Sequence, residues 1–280
     1  MENHKKAIIL DMDETLESGR YRNKYDKNTD IIMILRPNLN ILINKLQEVK
    51  KQGIDIILFT TARNEWVERF FKLKPEFKLL FNKKYTRDNK EKWLNYSKTK
   101  YPLEYNARKE NINLEYSKPV TTLGYNSILF IDDNKIEETR LKILFEITHG
   151  KLEKDVTYFS GFRFNGGLIE YDKMLIYKKK ANSNISFAKV LNQYIETERE
   201  NPGCEFMCSV IDKFINKKFV SGLTIEDENY KGEYDKFREK ITLLKEKIEK
   251  ISSPLEEQIS NIELKEYFES DKYYPYELYL

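Results

Sequence analysis

Apolar positions cluster in short runs over the first half of the chain and at helical spacings over the second. Ala7 to Leu10 is a run of four that stops at Asp11, which predicts a short buried strand over residues 6–11. Residues 14–30 are polar and turn-rich, and the next apolar run is Ile31 to Leu35. Arg36-Pro37 follows, with proline favourable at a first helical position. Leu39, Leu42, Ile43, Leu46 and Val49 then recur at helical spacing, and Gly53 closes that helix. Ile54 to Phe59 predicts a second strand, Asn64 to Leu73 a second helix, and Ser127 to Asp132 another strand ending on acid. An amphipathic helix through Ile136, Leu141, Leu144 and Phe145 comes next, and Asp155 to Phe159 reads as one more strand. Short apolar strands alternating with helices predict an α/β fold, a parallel sheet covered on both faces.

Beyond about residue 180 the pattern is helical alone. Tyr230, Tyr234, Phe237, Ile241, Leu244, Ile248 and Ile251 alternate at spacings of four and three, an a/d seam of about three heptads. Such a seam serves either self-association through residues 230–251 or packing on its own protein, and its shortness favours the second. The tail from Tyr273 to Leu280 is aromatic enough to dock on a surface.

Composition narrows the class. The chain has 280 residues, with 49 Lys+Arg against 46 Asp+Glu for a net charge of +3. A hydrophobic fraction of 40% and a charged fraction of 34% suit a globular protein, not a disordered one. Mean hydropathy is −0.68, and no apolar run approaches the ~20 residues that span a bilayer. Four apolar residues before Asp11 are too few for a signal-peptide core, so a cytoplasmic or otherwise intracellular protein is expected. Charges of both signs are interspersed, which gives nucleic acid only weak support as a partner. Cys204 and Cys208 lack the nearby histidines or further cysteines of a metal site, so packed, reduced thiols are expected.

The chemistry lies where the buried strands end, since open parallel sheets bind ligands beyond their carboxyl ends. Asp11-Met12-Asp13 closes the first strand, Thr60-Thr61 the second and Asp132-Asp133 a later one, with Lys118 shortly before it. This order suits phosphoryl transfer. Asp11 is placed as a carboxylate nucleophile, and Asp13 as the acid and base that serves the leaving oxygen and then the attacking water. Asp11, the Asp13 backbone carbonyl and Asp132 make an all-oxygen set for Mg²⁺, with Asp133 a further ligand through water. Thr60 offers a hydroxyl and Lys118 a charge to the phosphoryl oxygens.

Asp11-Met-Asp-Glu-Thr-Leu16 resembles the first motif of the haloacid dehalogenase superfamily of phosphatases. Its Asp-Glu-Thr-Leu form is similar to the branch of RNA polymerase II C-terminal-domain phosphatases, the NLI-interacting-factor-like proteins. Leu35-Arg36-Pro37, Leu58-Phe59-Thr60-Thr61-Ala62, Tyr116 to Gly124 and Ile131-Asp132-Asp133-Asn134 resemble the same branch. The resemblance covers roughly residues 5–160. It implies a Rossmann-like core, Mg²⁺ dependence and an aspartyl-phosphate intermediate, with a phosphoprotein as the leading substrate. Small phosphorylated metabolites, nucleotides and nucleic-acid ends are the alternatives. A binding or scaffold protein acting through its C-terminal helices is the reading of another class.

Residues 1–178 are expected to form the phosphatase domain and 179–280 a mainly helical region. Asp133 stands where the branch often has Asn. Residues 14–30 correspond to a flap, and 88–111 look like an insertion that is either a small lid or a surface loop. Arg20 and Arg22 in the flap, with Arg36, Arg63 and Trp93, are the candidates for selecting an anionic substrate. Gly161 to Gly167 reads as a turn, because no helix start follows it to cradle a phosphate.

Overall fold

The computed structural model describes residues 5–23, 26–89, 98–111, 118–147, 155–160, 163–164, 185–216 and 228–256. Five strands form one parallel sheet: β1 (Lys6–Leu10), β4 (Asp55–Phe59), β5 (Lys83–Tyr85), β6 (Ser127–Asp132) and β7 (Asp155–Ser160). Their order is β5-β4-β1-β6-β7, with β1 at the centre. The chain builds outward from β1 through β4 to β5, then returns to add β6 and β7 on the other side. The reversal falls between β1 and β6, which is where ligands bind in such sheets.

Continuous apolar runs form these strands because both faces of the sheet are covered. Ile8, Leu10, Ile56, Leu58, Leu129 and Ile131 point to one face, where they join residues of α1 (Leu39–Lys51), α2 (Asn64–Leu73) and α3 (Pro75–Leu80). Ala7, Ile9, Ile57, Phe59, Ile128, Phe130, Val156 and Tyr158 point to the other. There they meet Leu141 of α5 (Lys135–Ile147). The expected α/β architecture is therefore present.

Residues 14–30 are not the irregular loop that their polarity suggests. They build most of an antiparallel hairpin, β2 (Glu17–Asn23) and β3 (Asp26–Leu35), and the apolar run Ile31 to Leu35 is the end of β3. A hairpin ladder is held by backbone hydrogen bonds, which need no apolar alternation, so sequence pattern alone missed it. The hairpin approaches α2 closely at Gly19, where a Cβ would lie 2.6 Å from Trp66 Cζ3. Only glycine fits there without displacing the indole.

Three helices follow the sheet in the described chain: α6 (Ile185–Arg199), α7 (Gly203–Ile215) and α8 (Glu228–Glu256). α7 joins the sheet's own core through Cys204, Phe206, Met207, Val210, Ile211 and Phe214. Both cysteines are buried and unpaired, as their missing metal partners led us to expect. α6 and α8 form a second cluster, in which Phe187, Leu191, Tyr194 and Ile195 meet Ile241, Leu244 and Ile248. Phe237 and Ile251 pack against its edge. The α8 seam thus packs on α6 of the same chain, the favoured of its two readings. No described helix is long and apolar enough to cross a membrane. Residues 165–184, which contain the expected boundary at 178, and the aromatic tail after 256 lie outside the described residues.

Candidate active site

Strand register brings the first and last motifs together. Leu10 pairs with Ile131, and Asp11 N–H donates to the Ile131 carbonyl at 2.9 Å. Asp11 and Asp132 therefore leave adjacent strand ends side by side. Lys118 reaches both, its Nζ lying 2.7 Å from Asp11 Oδ1 and 2.6 Å from Asp132 Oδ2. All three residues are buried. The two carboxylates raise the Lys118 pKa against the opposing effect of burial. Asp11 is pushed well above the usual carboxylate range, first by burial, although Lys118 opposes the shift and Asp132 and Asp13 add to it.

The Lys118 segment is itself anchored. Lys118 N–H donates to Glu137 Oε2 of α5 at 3.0 Å, and Glu137 Oε1 also holds Arg140. Helix α4 (Pro102–Glu110) lies in the expected insertion 88–111. It packs on α5 through Ala107 and Leu144, and Thr121 donates to its Glu104. The described part of the insertion thus supports the lysine segment. Trp93 lies outside the described residues.

On the other side of β1, Thr60 follows the end of β4. Its hydroxyl donates to Asp13 Oδ2 at 3.3 Å and accepts Ala62 N–H at 3.0 Å. Thr15 closes the remaining side, its hydroxyl accepting Asp133 N–H at 3.2 Å. The loop between Asp11 and Leu16 is tight, with Leu16 N–H donating to the Met12 carbonyl at 2.8 Å and Glu14 at φ 57°. A non-glycine residue in the left-handed region costs energy and persists only where its surroundings fix it.

Asp11, Asp132 and Asp133 each bring a carboxylate oxygen within 4.8 Å of the others. Three carboxylates so close repel one another unless a cation lies among them. An all-oxygen set of this kind fits a hard divalent cation such as Mg²⁺ better than a soft metal. Asp133 is raised to about 7, by burial first and then by Asp132 and Glu14.

Two residues at the site escaped sequence reading. Glu17, buried at the start of β2, is raised well above the usual carboxylate range by burial and then by Asp13. Its side chain in turn lowers the Asp13 pKa against the raising effect of burial there. Arg163, three residues beyond β7, is ion-paired with Glu14 and lies 3.8 Å from Asp133 Oδ2. The only signal for it was the glycine-flanked segment read as a plain turn.

Arg36, expected among the substrate-selecting residues, is corrected by its burial at 2% exposure. Its guanidinium donates to the carbonyl of Thr15 at 2.6 Å, to that of Glu14 at 3.3 Å and to Asn201 Oδ1 at 3.0 Å. It faces protein on every side and is not offered to a ligand. Arg63 is exposed just before α2. Arg20 and Arg22 lie on β2, but their side chains are outside the described residues.

Residues 6–138 match the family model of the NLI interacting factor-like phosphatases. The chain carries a domain of that family. The match runs from β1 into the first turn of α5, so it holds Asp11, Thr60, Lys118 and Asp132, and it identifies the protein as a phosphatase. Helices α6 to α8 lie outside it. No curated protein matches the chain.

Proposed function

We propose that this phosphatase is a Mg²⁺-dependent phosphomonoesterase that transfers the phosphoryl group to Asp11 and then to water. The observation that supports this most is the placement of Asp11 and Asp132 on adjacent strand ends with Lys118 bridging them. Mg²⁺, held by Asp11, Asp132, the Asp13 carbonyl and, through water, Asp133, would supply positive charge to the phosphoryl oxygens and allow these carboxylates to coexist as anions.

Asp11 attacks phosphorus through one carboxylate oxygen, forming an acyl phosphate as the bond to the leaving oxygen breaks. Asp13 gives its proton to that oxygen. It then takes a proton from the water that attacks the phosphoenzyme, returning Asp11 and releasing inorganic phosphate. Thr60 and Lys118 steady the equatorial oxygens, where charge is spread in the transition state. Lys118 can do both tasks because a primary ammonium carries three donors.

A phosphorylated protein side chain is the substrate class we favour. The motifs resemble the branch acting on the polymerase tail, and α4 is engaged in packing on α5 instead of standing free as a lid. Arg63 remains exposed beside the Thr60 turn for a substrate's acidic neighbours.

Turnover of an aryl phosphate with Mg²⁺, abolished by EDTA and by Asp11→Asn, tests the reaction. No turnover by the wild type across several phosphate esters would overturn it. Phosphopeptides, nucleotides and 3′-phosphorylated oligonucleotides, compared by kcat/KM, test the class. A preference for either of the latter two would replace the phosphoprotein reading.

A further inference from the structure

We propose that the junction between α6 and α7, residues 198–205, positions the catalytic loop, with Asn201 acting through Arg36. The inference rests on the phosphatase reading for its consequence in turnover, but its geometry stands apart from the family match. The junction lies some 60 residues beyond the matched segment.

Three consecutive residues after β3 are gripped by this junction. Arg36 donates to Asn201 Oδ1, and that same oxygen accepts Gly203 N–H at 3.0 Å. The Pro37 carbonyl accepts from Cys204 Sγ at 3.2 Å. The Asn38 amide donates to Glu205 Oε1 at 3.0 Å and reaches the Arg199 carbonyl at 3.5 Å. Gly203 is required for the approach, since a Cβ there would lie 2.0 Å from Arg36 Nη1.

From this anchored position Arg36 extends into the loop that carries Asp13. It holds the Thr15 and Glu14 carbonyls, and the Glu14 carbonyl also accepts Phe164 N–H at 2.6 Å. Phe164 in turn lies against the Arg36 guanidinium, whose central carbon is 5.1 Å from the ring centroid. Among the described residues, the two non-glycine residues at positive φ are Glu14 and Asn38, at 57° and 62°. Each is held by one of these contacts. The left-handed loop conformation is therefore fixed from outside the family segment.

A guanidinium is suited to the task because its donors are set in a rigid fork. Asn201 Oδ1 fixes one arm of the fork, so the other arms reach the loop carbonyls at a set height. Releasing that arm lets the loop relax and shifts Asp13 relative to the phosphorus and the leaving oxygen. Shifts of about 1 Å in such positioning have cost up to about 10²-fold in turnover.

The test uses the full chain and two readouts: aryl phosphate kinetics, and amide hydrogen exchange over residues 12–17. Asn201→Ala should lower kcat about 10-fold while changing KM less than about twofold, and should speed loop exchange by a similar factor. Asn201→Asp keeps an acceptor for both N–H groups and should restore both readouts to within about threefold of wild type. Ile248→Val, in the α6–α8 cluster, gives a destabilised comparison that should leave kcat and loop exchange unchanged. If Asn201→Ala does not fold, Asn201→Ser with its shorter acceptor is read in its place. Unchanged loop exchange in Asn201→Ala, or equal loosening by Ile248→Val, would overturn the proposal. A wild type without turnover would refute the phosphatase reading instead, and the exchange comparison would still decide the positioning role.

Discussion

At the carboxyl end of the sheet, Lys118 lies within 2.7 Å of both Asp11 and Asp132, and all three are buried. In the α6–α8 layer, Ile241, Leu244 and Ile248 are equally buried among Phe187, Leu191 and Tyr194. Burial is the same, but its consequences are opposite. Apolar side chains gain roughly 1.5–3 kcal/mol each when they leave water. Buried ions lose their hydration and recover it only through partners in good geometry. The strand ends therefore hold groups that are stable only as a set, whereas the helical layer is a sum of near-independent contacts. Changes at the strand ends should remove chemistry, and changes in the helices should remove stability.

Asp11→Asn gives the largest expected effect. It deletes the nucleophile and should lower kcat by more than about 10⁴-fold, with the fold retained by circular dichroism. Residual turnover within 10-fold of wild type would end the nucleophile assignment.

Asp13→Asn should come next and should depend on the substrate. Esters with poor leaving groups need the proton, so they should lose about 10²–10⁴-fold, while aryl phosphates lose less. Equal losses on alkyl and aryl esters would remove Asp13 as the acid.

The helical side is probed by Ile248→Ala. Its fully buried side chain leaves a cavity, at an expected cost of about 2–5 kcal/mol in denaturant unfolding. Sedimentation should give the same monomer mass for wild type and variant at every concentration. A wild-type dimer lost in the variant would show that the seam serves association after all.

The smallest expected effect lies at the boundary between the two regions. Glu198 is raised to about 7 by burial, against the lowering effects of the Tyr194 hydroxyl and Arg36. The folded state thus binds a proton that the unfolded state has released, between about pH 4.5 and pH 7. This group's contribution should fall as pH rises across that window, by up to about 3 kcal/mol. Glu198→Gln should flatten that part of the stability profile, and an unchanged slope would count against a neutral Glu198.

Much of the site was legible because its residues follow strands whose apolar runs are local signals. Asp11, Thr60 and Asp132 each come directly after or at the end of such a run. Lys118 was legible only through motif order, since a buried lysine leaves no periodic mark. Glu17 was missed because it follows the motif within a hairpin whose polar sequence hid the strand. Arg36 was misassigned for a related reason, since an arginine beside a motif looks the same whether it faces a ligand or the protein interior.

By itself, the sequence determined where β1, β4, β6, β7, α1, α2 and α5 form and which functional groups end those strands, because periodicity and turn chemistry act over a few residues. It also determined that α8 would carry an apolar seam. Only the tertiary structure decided which groups meet. Strand order places β6 beside β1 and so sets Asp132 against Asp11, 121 positions apart in the chain. Helix packing set Asn201 on Arg36 and turned the seam of α8 inward onto α6. Such contacts depend on the order in which distant strands join the sheet and on how layers close around a shared core, and no local pattern in the chain encodes either.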